Sequence, residues 1–378
     1  MDLWYIANKV RGTLPAGFDG MNTVAIAKEL GFACHAVRAD YTLARPKDNL
    51  VLRGFAVDNH QDYPYRLELK NIPFTFEYDE ENLRTRVNTP AGEVFTHIHQ
   101  SADMGRQGIS VPFIKAYPLS YPLRSPDDLE AVAQVYEHID VIPAPENYAA
   151  FKERIGDQGL AVAHGLNIAS PMHLLLHDLV SMNEFFLFYM DEPDMLHDFA
   201  ERISPFFEKI LDAVLTCDCE VFFWGGNYDQ NTTYPDFFAR EIKPWLWHAG
   251  QKAEACGKLL LTHTDGENRL LLPLYGDSGF HVAESVCTSP MTELTLKEFR
   301  DGIGKTQTVW GGIPAVTLME DAMTDREFEA WLDRMFGDLG DARGLILGVS
   351  DNVPPDASLV RLEKIGKRIE DFGAVGPA

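Results

Sequence analysis

The chain has 378 residues, 46% of them apolar, enough for one large enzyme domain with a sizeable core. Its formal net charge of −24 argues against a general nucleic-acid or anionic-membrane surface, since either needs a basic patch; solubility, a cationic substrate or a basic partner protein all accord with it. The five cysteines, Cys34, Cys217, Cys219, Cys256 and Cys287, are odd in number and unpatterned, which suits a reducing cytoplasm better than a disulfide framework.

The first residues, Met1-Asp2-Leu3-Trp4, do not introduce a basic segment followed by a long apolar one. No run reaches the roughly 18 apolar residues of a membrane span, so the expectation is a cytoplasmic protein. From Leu50 to Gln100 the pattern is alternation broken by turns, as in Tyr65–Leu69, Phe74–Tyr78 and Thr85–His99, which predicts an antiparallel meander. It belongs to an N-terminal helical and β extension, residues 1–105, packed on the remainder, because no Ser/Gly or proline-rich linker separates the two. His97 and His99 share a strand face there and are read as rim or structural residues.

Next, the apolar run Leu160–Ala163 ends in His164, with Asn167 close behind, both candidates for the floor of a cavity or for hydrogen-bonded structural roles. The strip Phe185–Met190 fits a core or an interface equally well. Pro193 follows Asp191-Glu192 at a helix start, and Leu196, Phe199, Ile203, Phe206, Phe207, Ile210, Leu211 and Val214 recur at helical spacing, with a kink predicted at Pro205. Cys217-Asp218-Cys219 is a weak metal pattern, and core packing is the better reading. In the second half, short apolar runs break one after another into glycine and polar residues: Glu220–Trp224, Leu259–Leu261, Gly279–Ala283, Thr306–Trp310 and Leu345–Val349. Helical segments lie between them, with capping boxes at Thr295/Glu298 and Thr324/Glu327, a stop at Gly257 and a closing helix over 356–372. Buried apolar strands alternating with helices predict a parallel α/β sheet, and residues 106–378 suit a (β/α)8 TIM barrel.

Barrel enzymes keep their chemistry at strand ends, and the polar residues there are the candidates. His263 and Asp265 stand two apart before Gly266, so imidazole and carboxylate could meet on one metal ion or substrate, or the segment is a capped turn. Asn227, Tyr228 and Asp229 follow a double glycine and are candidate substrate contacts, Asp229 with acid/base potential. Glu284, Asp351 and Cys287 close other strands; no activating His adjoins Cys287, which ranks below Glu284. Trp224 and Trp310 fit apolar walls or core. The chain has no GxxxxGK[ST], GxGxxG after the first strand, HExxH or GxSxG motif, and Gly311-Gly312 lacks the helix a phosphate nest needs.

Several segments in a shared order resemble the uroporphyrinogen decarboxylase superfamily: Thr89–Glu93, Leu123–Leu129, Asp191-Glu192-Pro193, Tyr234–Phe238, Cys256–Gly266 and Asp351–Pro355. The resemblance covers roughly Thr89 to the C-terminus. It implies the TIM barrel and either porphyrinogen decarboxylation or zinc-dependent, corrinoid-linked methyl transfer. Nothing before Asn88 resembles the decarboxylases' arginine-rich motif, and so acidic a chain suits a polyanionic tetrapyrrole poorly. In the methyltransferase branch a His-x-Cys pair and a distant Cys hold zinc; His263 matches the His, Asp265 replaces the first Cys and Asp351 falls near the second.

The expectation is therefore a methyltransferase moving a methyl group from a small methoxy or methylamine-type compound to or from the cobalamin-type corrinoid of a partner protein, as a demethylase does. Zinc acts as Lewis acid on His263, Asp265 and Glu284, with Asp351 as a fourth or outer ligand. His263, Asp265 and Asp229 are the catalytic candidates; His164, Asn167, Trp224, Asn227, Tyr228 and Trp310 are the substrate contacts. A metal-free lyase, in which Asp229 or Asp265 stabilises a protonated intermediate, and a non-enzymatic binding protein on the same scaffold are the alternatives. No nucleic-acid or membrane partner is expected, and the oligomeric state is open.

Overall fold

The computed structural model describes residues 1–43, 50–79, 81–109 and 117–373. The chain divides into two compact units, one of Met1–Ala36, Ile155–Leu160 and Glu220–Ala378, the other of Val37–Arg154 and Ala161–Cys219. The expected extension, residues 1–105, contributes to both units.

The second unit carries β1 (Tyr65–Leu69), β2 (Phe74–Tyr78), β3 (Asn82–Thr89), β4 (Gly92–His99), β5 (Tyr117–Ser120), β6 (Ile139–Pro143) and the short β7 (Ala163–His164). The meander is an antiparallel sheet in the order β2-β3-β4-β5, and Thr89–Gly92 forms its central hairpin, where Thr89 Oγ1 accepts the N–H groups of Ala91 and Gly92. β1 is not part of it: Tyr65–Leu69 pairs antiparallel with β6, Tyr65 opposite Pro143. Alternation marks a half-buried strand without naming its partner. The helix Pro193–Leu215 buries the predicted stripe and continues through Pro205. Proline removes the donor for Glu201 O, and Ser204 Oγ supplies one instead at 2.8 Å.

The first unit contains β8 (Val221–Gly226), β9 (Leu259–His263), β10 (Val282–Val286), β11 (Thr308–Ile313) and β12 (Leu345–Val349), hydrogen-bonded in that order, all parallel. β8 and β10 are buried at every position, as expected of a sheet covered on both faces. Among the described residues no ladder closes these strands into a ring, so what stands is a mixed α/β fold with a parallel sheet and helices. Both capping boxes form, and Gly257 takes φ 66° after the helix Lys243–Ala255. The closing helix begins later than predicted, at Leu359; Leu362 and Ile365 are buried, but Ile369 and Phe372 remain about 40% exposed. Arg361 lies buried beside them, its guanidinium donating to the carbonyls of Thr317, Met319 and Met323. Among the described residues no helix is long and apolar enough to cross a membrane.

Candidate metal centre

Parallel register sets the site. Glu284 on β10 lies beside His263 on β9 and beside Trp310 on β11, so three side chains from adjacent strands share one face. A bulge follows: Ser285 adopts φ 60°, and the ladder to β11 shifts between Glu284 and Val286. Gly311 faces that bulge at φ 142°, where a Cβ would come within 2.5 Å of Val286 N. At this bulge Ser285 Oγ, itself buried, accepts the N–H of Asp351 at 2.5 Å, while Ser350 Oγ donates to Val286 O at 2.6 Å. Asp351 itself has φ 59°, and Asn227 at the end of β8 has the same value. Left-handed backbone at non-glycine residues is uncommon and concentrates at functional sites.

His263, Asp265 and Asp351 each bring one ligand atom to within 4.8 Å of the others. His263 is 4% exposed, and its Nδ1 meets Glu284 Oε2 at 2.7 Å. Its Nε2 faces Asp265 Oδ1 at 3.7 Å. That Oδ1 is buried with no hydrogen-bond partner among the described residues, a costly state for a carboxylate oxygen. Glu284 lies behind the imidazole, its second oxygen 2.9 Å from Nε2 of His35. Burial works against charge on both members of the His263–Glu284 pair, yet their mutual attraction wins. Glu284, with Asp265, raises the imidazole above its ordinary value, and His263, with His35, holds the Glu284 carboxyl well below the usual carboxylate range.

One imidazole nitrogen and two carboxylates make a borderline-to-hard donor set that suits zinc and other first-row divalent ions. A carboxylate on the far ring nitrogen is how proteins orient a ligating histidine, and the orphaned Asp265 oxygen is an acceptor that a cation would satisfy. The residues present thus fit a metal ion.

The remaining candidates take other places. Asp229 Oδ1 accepts the N–H of Asn231 at 2.8 Å and Oδ2 that of Glu267 at 2.9 Å, so its carboxylate ties the β8 and β9 loops together. Asn227 N donates to His263 O at 3.0 Å. Tyr228 is fully buried, its hydroxyl 2.9 Å from Thr262 Oγ1 and its ring edge-on to Phe238; burial raises its phenol far above the ordinary range. Trp224 is core, and Trp310 stands edge-on to His35 with centroids 5.4 Å apart. Burial pushes the Cys287 thiol up to about 12, keeping it protonated and unreactive.

His164 and Asn167 belong to the second unit. There His164 stacks on Tyr63 at 4.3 Å, and Asn167 Oδ1 accepts from Arg38 at 2.6 Å. His97 and His99 both contact Asn82 Oδ1, at 3.0 and 3.2 Å. His35 escaped the sequence reading altogether, being a single histidine in an irregular segment without pattern.

No family model matches the chain, and no curated protein matches it. Among solved structures, a methyltransferase from Methanosarcina mazei is similar, at 14% identity over 94% of this chain and 92% of that one, with a TM-score of 0.49.

Proposed function

We propose that the chain is a metal-dependent methyltransferase that moves a methyl group between a small methoxy or methylamine-type compound and a corrinoid held by a partner protein, with the parallel strands forming part of a (β/α)8 barrel. The observation that carries this reading is the convergence of His263, Asp265 and Asp351 within 4.8 Å at the ends of β9 and β12. These three residues would hold zinc, with Glu284 behind His263 as the orienting carboxylate. When bound, the metal supplies Lewis acidity that makes an ether oxygen or amine nitrogen a better leaving group.

The chain's own residues do the rest. Glu284 fixes the imidazole, Asp229 holds the β8 and β9 loops, and Trp310 gives the site an apolar side on which a methyl group can rest. Because both oxygens of Asp229 accept backbone N–H groups, the metal-free lyase reading rests on Asp265 as the carboxylate that stabilises a protonated intermediate.

The test is metal content by plasma mass spectrometry on protein purified without a metal-binding tag, for wild type, His263→Ala and Asp265→Asn, followed by methyl transfer to reduced cobalamin from a panel of methylated compounds. Near-stoichiometric zinc lost in both variants, with transfer by the wild type alone, is the expected result. Wild type that stays metal-free after incubation with zinc overturns the proposal and favours the lyase.

A further inference from the structure

Each carboxylate oxygen of Glu284 meets a different imidazole. Oε2 faces Nδ1 of His263 at 2.7 Å, and Oε1 faces Nε2 of His35 at 2.9 Å. The side chain is 3% exposed, so neither oxygen has ready access to bulk water. A carboxylate held at one oxygen alone keeps a broad terminal torsion. Fastening the second oxygen narrows that torsion and, with it, the direction from which His263 is gripped.

His35 is itself held in place. Next to it, Cys34 N donates to Gln158 O at 2.5 Å, and Gly159 passes so close that a Cβ there would come within 2.3 Å of Cys34 O. Its ring also rests edge-on against Trp310, the register neighbour of Glu284. The side chain is 37% exposed, so its surroundings do not require an imidazole for packing alone.

We infer that His35 is a positioning residue of the candidate metal centre: through Glu284 it sets the ring of His263 so that Nε2 faces Asp265 and Asp351. The consequence for metal rests on the function proposed above; the hold on the His263 ring does not. A merely structural His35 would satisfy a buried carboxylate and leave the Nδ1–H of His263 as it was.

Two readouts on His35→Ala and His35→Gln test this. Glutamine keeps an N–H donor for Glu284 and alanine does not. The first readout needs no metal: in protein labelled with 15N-histidine, the proton shared by His263 Nδ1 and Glu284 gives a far-downfield resonance, assigned by its loss in His263→Ala. We expect it to shift or broaden in His35→Ala and to return in His35→Gln. The second is calorimetric titration with zinc, where His35→Ala, one contact further out than Glu284, weakens binding by up to roughly 10-fold and His35→Gln recovers most of it.

An unchanged resonance in folded His35→Ala overturns the inference, even if wild type binds zinc and His263→Ala does not, in which case the metal reading survives alone. A resonance that responds as expected in a protein that takes no zinc leaves His35 in its role and removes the metal. Should His35→Ala fail to fold, His35→Asn replaces it, since its shorter amide stops short of Glu284.

Discussion

Asp229 is a carboxylate beside a candidate site whose two oxygens already serve the backbone. Oδ1 caps the turn at Asn231, and Oδ2 reaches across to Glu267 in the loop after β9. Removing it leaves two N–H groups without their acceptor, so Asp229→Ala should lower stability by about 1–3 kcal/mol in urea unfolding. Asp229→Asn keeps one acceptor oxygen and should lose less. If Asp229 acted as an acid or base, the asparagine variant would instead keep its stability and lose methyl transfer, and that outcome would sink the loop-tie assignment. His263 and Asp265 stood out in the sequence because strand, polar residue and glycine turn are local signals, whereas Asp351 entered as a polar strand-end residue and, through the resemblance, as a fourth or outer ligand. His35 was not, because its partner Glu284 is 249 residues away and nothing beside it forms a pattern. Glu284 was legible only as a polar strand-end residue; that it would meet Nδ1 of His263 depends on the register of β9 and β10.

At the scale of elements, β8 to β11 were legible because burial on both faces leaves continuous apolar runs, and β12 was legible from its apolar run although it is only half-buried. Their ends moved by up to a few residues: the run expected over Gly279–Ala283 became β10 at Val282–Val286, which brings Glu284 inside the strand. Pairing in the second unit was harder to read, as β1 shows, because partner choice is set by tertiary contacts. Helix docking has a feature that can be tested. Gly250 in the helix Lys243–Ala255 sits so close to Gly279 that a Cβ would come within 2.1 Å of Gly279 O. Alanine normally improves a helix by up to about 1 kcal/mol over glycine, but here overpacking should outweigh that gain, and Gly250→Ala should cost about 1–3 kcal/mol. Gly337, at the exposed end of the helix Asp325–Gly337, has nothing within 4 Å of its Cβ position and is the control: Gly337→Ala should be neutral or stabilising in the same urea titration. Equal effects at the two positions would mean that the helix does not rest on Gly279.

Across the whole molecule, the charge of −24 and two buried histidines make opposite demands as pH falls. Between pH 7 and 5 most carboxylates, with ordinary values near 4, stay ionised, so protonation falls mainly on histidine. Less net negative charge eases self-repulsion and would stabilise the fold slightly, an effect that salt already screens beyond a Debye length of about 8 Å. Against this, burial lowers His60 below 6.5 despite the neighbouring Asp62, Asp58 and Asp40. His164 is lowered much further, by burial and then by Arg38 and His60 facing it. The folded state therefore refuses protons that the unfolded chain accepts. Their contribution is whole above the unfolded value of 6.5 and is lost as pH drops below it, by about 1.4 kcal/mol per pH unit for each such imidazole until its folded value is reached. His263, raised by Glu284 and Asp265, pulls the other way only from pH 7 down to the unfolded value of 6.5, below which folded and unfolded chain both hold its proton, so the two lowered imidazoles set the slope. Urea midpoints should thus fall from pH 7 to pH 5 at 0.15 M salt, and His164→Gln, which cannot take up a proton, should flatten the decline. A midpoint that holds steady or rises on acidification, or a His164→Gln variant with the wild-type slope, would show that His164 is not the group that resists the proton.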